Sequence, residues 1–225
     1  MGKGSDSKGR DVGPGAGRGW QFLLGLALCG LAGWAQAQAL AGLRILPHAG
    51  ADTRFPGWQA EAAQLPARVP LELGDSVDGA VLELLPASPG GQWRVSVQYE
   101  TSLSLGADGP HLDLVDWKHC VSAWIPATPR DAHSFILPVA TPEQASCFPP
   151  YSQAELEAAI RAHVPEGMGP EYAQGWLQRL RAHLSGTEPM HLEPGISRVR
   201  IRVERLHQGR WEDVARVDFL PPMGC

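Results

Sequence analysis

Asparagine is missing from all 225 residues, which removes one side-chain amide donor from any oxyanion hole this chain might build. Other absences exclude whole classes. There is no glycine-rich phosphate loop and no dinucleotide fingerprint, so nothing points to a nucleotide. No clustered Cys or His pattern marks a structural zinc, and no internal repeat suggests a solenoid. Basic residues are outnumbered, 19 Lys and Arg against 24 Asp and Glu, so the basic face that nucleic acid requires is not expected. No apolar run is long enough for a comfortable membrane span.

What is present at the N-terminus reads as an export signal. Lys3, Lys8, Arg10 and Arg18 precede the apolar run FLLGLALCGLAGWA, and the small-residue run AQAQA follows it. Cleavage after Ala37 or Ala39 fits the small-x-small rule, and Leu28 before Cys29 is wrong for a lipoprotein. The expectation is a signal peptide at 1–37 and a periplasmic or secreted product without a stable membrane span. Its loss takes four basic and two acidic residues from a formal net charge of −5, which leaves −7. Three cysteines remain, Cys120, Cys147 and Cys225, an odd number for an oxidising compartment. Cys120 with Cys147 is the favoured pair, because both flank strand-like segments around a short proline-containing loop. Closing that loop is worth roughly 3 kcal/mol on the chain-entropy argument.

Residues 38–65 show no sustained period and read as a flexible N-terminal arm. From 66 to 225 the signals are those of one domain. ARVPLEL and GAVLELLPA are short apolar runs bounded by turn-forming clusters. QWRVSVQYETSLSLG alternates without a break: Trp93, Val95, Val97, Tyr99, Thr101, Leu103 and Leu105 share one parity, and Arg94, Ser96, Gln98, Glu100, Ser102 and Ser104 the other. One face should be core and the other wet, as in an antiparallel sheet. The period then changes. Ser152 and Glu155 form a capping box, Leu156, Ile160 and Val164 mark a helical face, and a second helix runs from about Pro170 to Gly186. This two-helix insertion, at about 152–186, interrupts the strands.

The C-terminal stretch reads as a hairpin turning at Gly209. Setting Val199 opposite Phe219, Ile201 opposite Val217 and Val203 opposite Ala215 puts apolar residues on one face and Arg200 opposite Asp218 on the other. Counting gives about seven strands. The expected fold is mainly β, an antiparallel immunoglobulin-like β-sandwich with an inserted two-helix segment.

The richest local chemistry is HLDLVDWKHC, His111 to Cys120. Asp113, Asp116 and His119, with His111 as a further ligand, have the oxygen and imidazole donors that a zinc or a harder divalent ion takes. On one straight strand, however, Asp116 would point away from Asp113, and only a bend brings the two carboxylates together. Read instead as a core strand, the segment buries Leu112, Leu114, Val115 and Trp117.

GDS at 74–76 and DWKH at 116–119 resemble the Gly-Asp-Ser and Asp-x-x-His signatures of the SGNH hydrolases. The resemblance implies Ser76 as nucleophile, with Asp116 and His119 completing a triad. The two fragments lie much closer together than that family's alternating α/β domain requires, and GDSVDG has an ordinary reading as a turn.

Arg198, Arg200 and Arg202 share a strand face, with Arg205 beyond. They have the geometry to grip phosphate or carboxylate, and equally to form the solvated side of the hairpin. Trp93 and Trp211 fit core parity and Trp176 the inner helix face, whereas Trp58 and Trp124 have no assigned place. The reading that collects these features is an exported, non-enzymatic binding or structural module of the cell envelope. Its partner would be an envelope protein or a surface polymer, with no nucleic acid, no cofactor and no catalytic residues. The competing reading is a metal-dependent hydrolase centred on Asp113, Asp116 and His119.

Overall fold

The computed structural model describes residues 39–48, 54–88, 90–107, 110–165 and 167–223; the expected signal peptide at 1–37 and Cys225 lie outside these. The described residues belong to one compact unit. Along the described chain come β1 (Leu40–Leu46), β2 (Trp58–Glu61), β3 (Ala67–Pro70), β4 (Val81–Pro86), β5 (Trp93–Gly106) and β6 (His111–Leu114). They are followed by β7 (Cys120–Val121), β8 (Ile125–Pro126), β9 (Thr128–Pro129), β10 (Ser134–Ile136), α1 (Pro142–Ala145), α2 (Gln153–Ala162), α3 (Pro170–Leu184), β11 (His191–His207) and β12 (Arg210–Leu220).

The fold is mainly β and has two sheets. One runs β2-β1-β4-β10-β9, and the other β3-β12-β11-β5-β6, with β7 and β8 also pairing with β5. All pairings are antiparallel except β12 with β3. The final hairpin has the register that alternation dictates: Val199↔Phe219, Arg200↔Asp218, Ile201↔Val217 and Val203↔Ala215. It closes through Gln208 and Gly209, both at positive φ (49° and 77°), the left-handed pair that matches the twist of a two-residue hairpin turn.

The long β5 and β11 carry two cores on one continuous apolar face. Trp93, Val95, Val97 and Tyr99, with Val199, Ile201, Val203, Val217 and Phe219, pack against Leu40, Leu43, Ile45, Leu82, Leu84 and Phe135 of the first sheet. Further along the same parity of β5, Leu103 and Leu105 pack instead with Leu112 and Leu114 against Leu156, Ile160, Trp176, Leu177 and Leu180 of the helices. Each helix begins as its sequence indicates. Ser152 and Glu155 form the capping box of α2, and Pro170 opens α3 at a position where a missing N–H costs nothing.

Five expectations are corrected. The segment expected to be a flexible arm contains β1 and β2, and Leu40, Leu43 and Ile45 are buried to 2 % exposure or less. Its Ala and Gly residues hid a short strand that fills the core opposite β5. There are also more strands than the seven expected, because the prolines at 126 and 129 divide the loop after Cys120 into two-residue pieces too short to show a period. The face of β5 expected to be wet is wet only at Arg94 and in part at Gln98: Ser96, Glu100, Ser102 and Ser104 are buried, under long side chains from β11 and the loop after β6. HLDLVDWKHC is no single strand. It leaves β6 at Leu114, turns through 115–117 and rejoins the sheet at Cys120, so Val115 is exposed. Finally, Trp211, expected in the core, is 37 % exposed, because a register shift between Val203 and Glu204 takes it off the parity of Ala215 and Val217.

Cys120 and Cys147 form a disulfide with Cα atoms 5.7 Å apart. It lies beside the junction of the two cores, where the Thr101 hydroxyl donates to the Cys147 carbonyl. Non-reducing peptide mapping of the purified protein should return the 120–147 crosslink. Replacing both cysteines with serine should cost about 3 kcal/mol in a denaturant titration. Ile201 is fully buried between the sheets. Ile201→Asp buries an unpaired charge and should leave no soluble folded protein, whereas Arg216→Ala, which removes only the exposed pairing with Asp213, should shift stability by no more than about 0.5 kcal/mol.

Candidate functional site

The turn at 115–117 supplies the bend that a straight strand lacks. Asp113 and Asp116 line one cleft together with His111, against a wall formed by Leu112, Val164, Pro165 and Tyr172. The cleft encloses about 530 Å³ and lies between β6 and the α2–α3 connection. His163, at the end of α2, also lines it. Its Nδ1 lies 3.0 Å from the Ala159 carbonyl, which leaves Nε2 for the cleft. Asp113 accepts a hydrogen bond from the Ser104 hydroxyl at 2.7 Å and has His111 Nε2 at 3.4 Å. Two carboxylates, two imidazoles and a phenol therefore surround one concave surface with an apolar wall.

His119 does not join them. It lies past the turn, over the second face of β5, where its Nδ1 is 3.3 Å from Ser102 Oγ and 3.5 Å from Glu100 Oε1. Of the residues proposed as metal ligands, the structure brings Asp113, Asp116 and His111 to one cleft and sets His119 elsewhere. Among the described residues, no three His, Cys, Asp or Glu side chains are grouped to hold a metal ion.

A serine, an imidazole and a carboxylate in contact invite comparison with a catalytic relay, and the geometry answers it. In a relay the serine and the acid bind opposite nitrogens of the imidazole, so that the acid orients the ring while the serine gives up its proton. Here both approach Nδ1. Ser102 is also fully buried, and its hydroxyl lies 2.8 Å from Ser197 Oγ, so no substrate carbonyl can reach it. Ser76 is further removed. Its hydroxyl accepts from the Asp78 N–H at 3.0 Å within a turn, and Asp78 contacts Tyr99 on the inter-sheet face of β5, the opposite side from His119. Burial there raises the Asp78 carboxyl above its usual value, and burial next to Asp78 pushes the Tyr99 phenol well up. The serine, aspartate and histidine that resemble SGNH signatures do not meet.

Around His119 the arginines form a paired network. Arg198 Nη1 lies 3.1 Å from Glu100 Oε2, and Arg200 Nε lies 3.1 Å from Asp218 Oδ1 while its Nη1 donates to Gln98. Arg202 lies 3.3 Å from Glu204, which also takes two hydrogen bonds from Arg94 at 2.6 and 2.7 Å. Trp124, unplaced from sequence, lies under the Arg202 guanidinium at 4.3 Å. Trp58 meets the Phe219 ring edge-on at 5.7 Å in the core. The arginine face is thus mostly self-satisfied. The roles of Glu100, Ser102 and Ser197 were invisible in the sequence, since alternation marked Glu100 and Ser102 as solvent positions.

The segment His111 to Cys120 is braced by Lys118, whose Nζ lies 2.7 Å from Glu155 Oε1 and donates to the Pro150 carbonyl. Trp117 packs at a tilt against Phe148 and edge-on against Tyr151 in the same region. Comparison with family models, with curated proteins and with solved structures finds no match.

The brace generates a pH dependence. The Lys118 hydrogen bond, followed by those from Ser152, holds the Glu155 carboxyl down at about 2, against 4.5 for an unperturbed glutamate. A depressed folded-state value contributes stability above the unfolded value and loses it as pH falls through the folded one. Wild type should therefore melt above Glu155→Gln at pH 7, and the gap between their thermal midpoints should close as pH falls from 5 to 2. A gap independent of pH would show that the carboxylate charge contributes nothing.

Proposed function

We propose that this chain is an exported, non-enzymatic binding module of the cell envelope, an immunoglobulin-like β-sandwich whose partner seats in the cleft between β6 and the α2–α3 connection. The partner is an envelope protein or a surface polymer. What carries the reading is the composition of that cleft: the ionisable side chains of His111, Asp113, Asp116 and His163 around an apolar wall of Leu112, Val164 and Pro165. Such a mixed concave lining offers burial for affinity and placed polar groups for orientation. The contact of Ser102, His119 and Glu100 meets at a single ring nitrogen, which supports contact rather than turnover. The basic and apolar leader supports export, and the Cys120–Cys147 disulfide is of the kind that persists in an oxidising compartment.

A second reading, the metal-dependent hydrolase, is favoured by one observation: the turn after β6 brings Asp113 and Asp116 to the cleft that His111 and His163 share. Elemental analysis separates the two. Under the binding reading, the purified protein carries no stoichiometric metal, and a photo-crosslinker at Val164 captures an envelope component with at least tenfold lower yield in Asp116→Arg, whose side chain is exposed and free to change without unfolding the domain. Stoichiometric zinc or manganese, lost on Asp116→Ala, overturns it in favour of the hydrolase.

A further inference from the structure

The opposite end of β5 holds a second concave surface of different character. It encloses about 340 Å³ and is lined by Trp93, Trp211, Phe135, Pro129, Asp131 and Gly91. With Gly106 and Trp93 at the two ends of β5, it lies roughly 40 Å along the strand from the His111 cleft, at a rise of about 3.3 Å per residue. From this surface we propose that the chain has a separate subsite for a neutral sugar ring, the pyranose of a glycan, stacked against Trp211.

Trp211 is a large aromatic side chain left 37 % exposed, and it is held rigidly. The Arg94 guanidinium lies 4.6 Å from its ring centroid and is itself fixed by two hydrogen bonds to Glu204. A pre-oriented indole lets an apolar ring face stack at little cost in ordering. Asp131 supplies the hydrogen-bond acceptor that sugar hydroxyls need. Its carboxylate accepts from the His133 N–H at 2.8 Å, which fixes its direction and holds its carboxyl below the usual aspartate range, so it stays an acceptor at neutral pH. Trp93 is 8 % exposed, and its indole N–H has no acceptor among the described residues. Its nitrogen lies beside Gly91, where a φ of 111° disfavours any side chain and a Cβ would crowd Arg205 Nε.

The charge of the ligand follows from what already occupies the rings. Arg94 lies over one side of Trp211 and Arg205 lies 5.4 Å from the Trp93 centroid, so their positive charge disfavours a cationic ligand, while the exposed part of the Trp211 ring stays open to an apolar ring face. The Asp131 carboxylate at the rim repels an anion. A neutral, hydroxyl-bearing ring with an apolar face satisfies both constraints, and the cavity, at the small end of ligand sites (about 300–1,000 Å³), has room for one such ring with the rest of the chain leading outward.

The test is a titration of ¹⁵N-labelled protein with neutral tetrasaccharides built from glucose, mannose or N-acetylglucosamine, read at the indole N–H signals. The expected result is a shift of the Trp93 and Trp211 signals with at least one series, with binding at least tenfold weaker in Trp211→Ala and in Asp131→Ala and unchanged in Asp116→Arg. Co-sedimentation with insoluble polysaccharide of the same series then distinguishes a polymer ligand from a free oligosaccharide. No indole shift at 10 mM of any tetrasaccharide, taken as about the weakest binding worth detecting, overturns the proposal, as does binding that survives both cleft variants. Asp116→Arg keeps this outcome separate from that of the partner cleft, because the two variant sets act at opposite ends of β5.

Discussion

The antiparallel pairing of β5 with β11 is the constraint on which the rest of the structure depends. It extends from Trp93↔Arg205 to Gly106↔His191, with one irregularity between Ile196 and Arg198. A one-residue slip of β11 would turn Val199, Ile201 and Val203 towards Glu100 and send Arg198, Arg200 and Arg202 into the inter-sheet core. The apolar demand of one face therefore sets the register of the other. Everything else attaches to this pair: β12 and β3 beyond β11, and β6, β7 and β8 in turn along the free edge of β5.

Because β5 is longer than either cover, its single apolar face needs two. The first sheet covers the half from Trp93 to Tyr99 and the helices cover Leu103 and Leu105. The disulfide and Thr101 mark the seam, and the chain between β6 and α2 crosses there. This arrangement explains where concave surfaces arise. Each lies where a cover ends: the His111 cleft at the edge of the helical cover, and the tryptophan cleft at the outer end of the sheet cover.

The second face of the same pair shows how buried carboxylates are compensated by half-exposed arginines. Glu100 and Glu204 are buried, and removing either would leave guanidinium groups uncompensated, which is why buried pairs are costly to break even when they add little net stability. Glu100 serves Arg198 and Arg200 and has His119 beside it, while Glu204 serves Arg94 and Arg202. The Arg94–Glu204 pair also holds the exposed Trp211, so the network reaches the tryptophan cleft through a structural contact.

Local pattern alone determined the elements whose partners lie close in sequence or whose period is long. The hairpin register from Val199 to Phe219, the β5 strand, the Ser152–Glu155 cap, the start of the second helix at Pro170 and the choice of Cys120 with Cys147 were all legible, because alternation, capping and loop closure act over short distances along the chain. Tertiary structure decided what required a distant partner. The strand at Leu40–Leu46 exists because β4 and the β5 face need it, and its own Ala- and Gly-rich composition has no period to show. Ser102 and Glu100 are buried because Arg198, Arg200 and His119 fold over them from segments about 20 to 100 residues away in sequence. Asp113 and Asp116 share a cleft because the chain turns at 115–117, a bend that alternating residues cannot announce, and Trp211 stays exposed because the register shift between Val203 and Glu204 takes it off the buried parity of Ala215 and Val217. Period reports which face a side chain takes, and only the packed neighbour decides whether that face meets water.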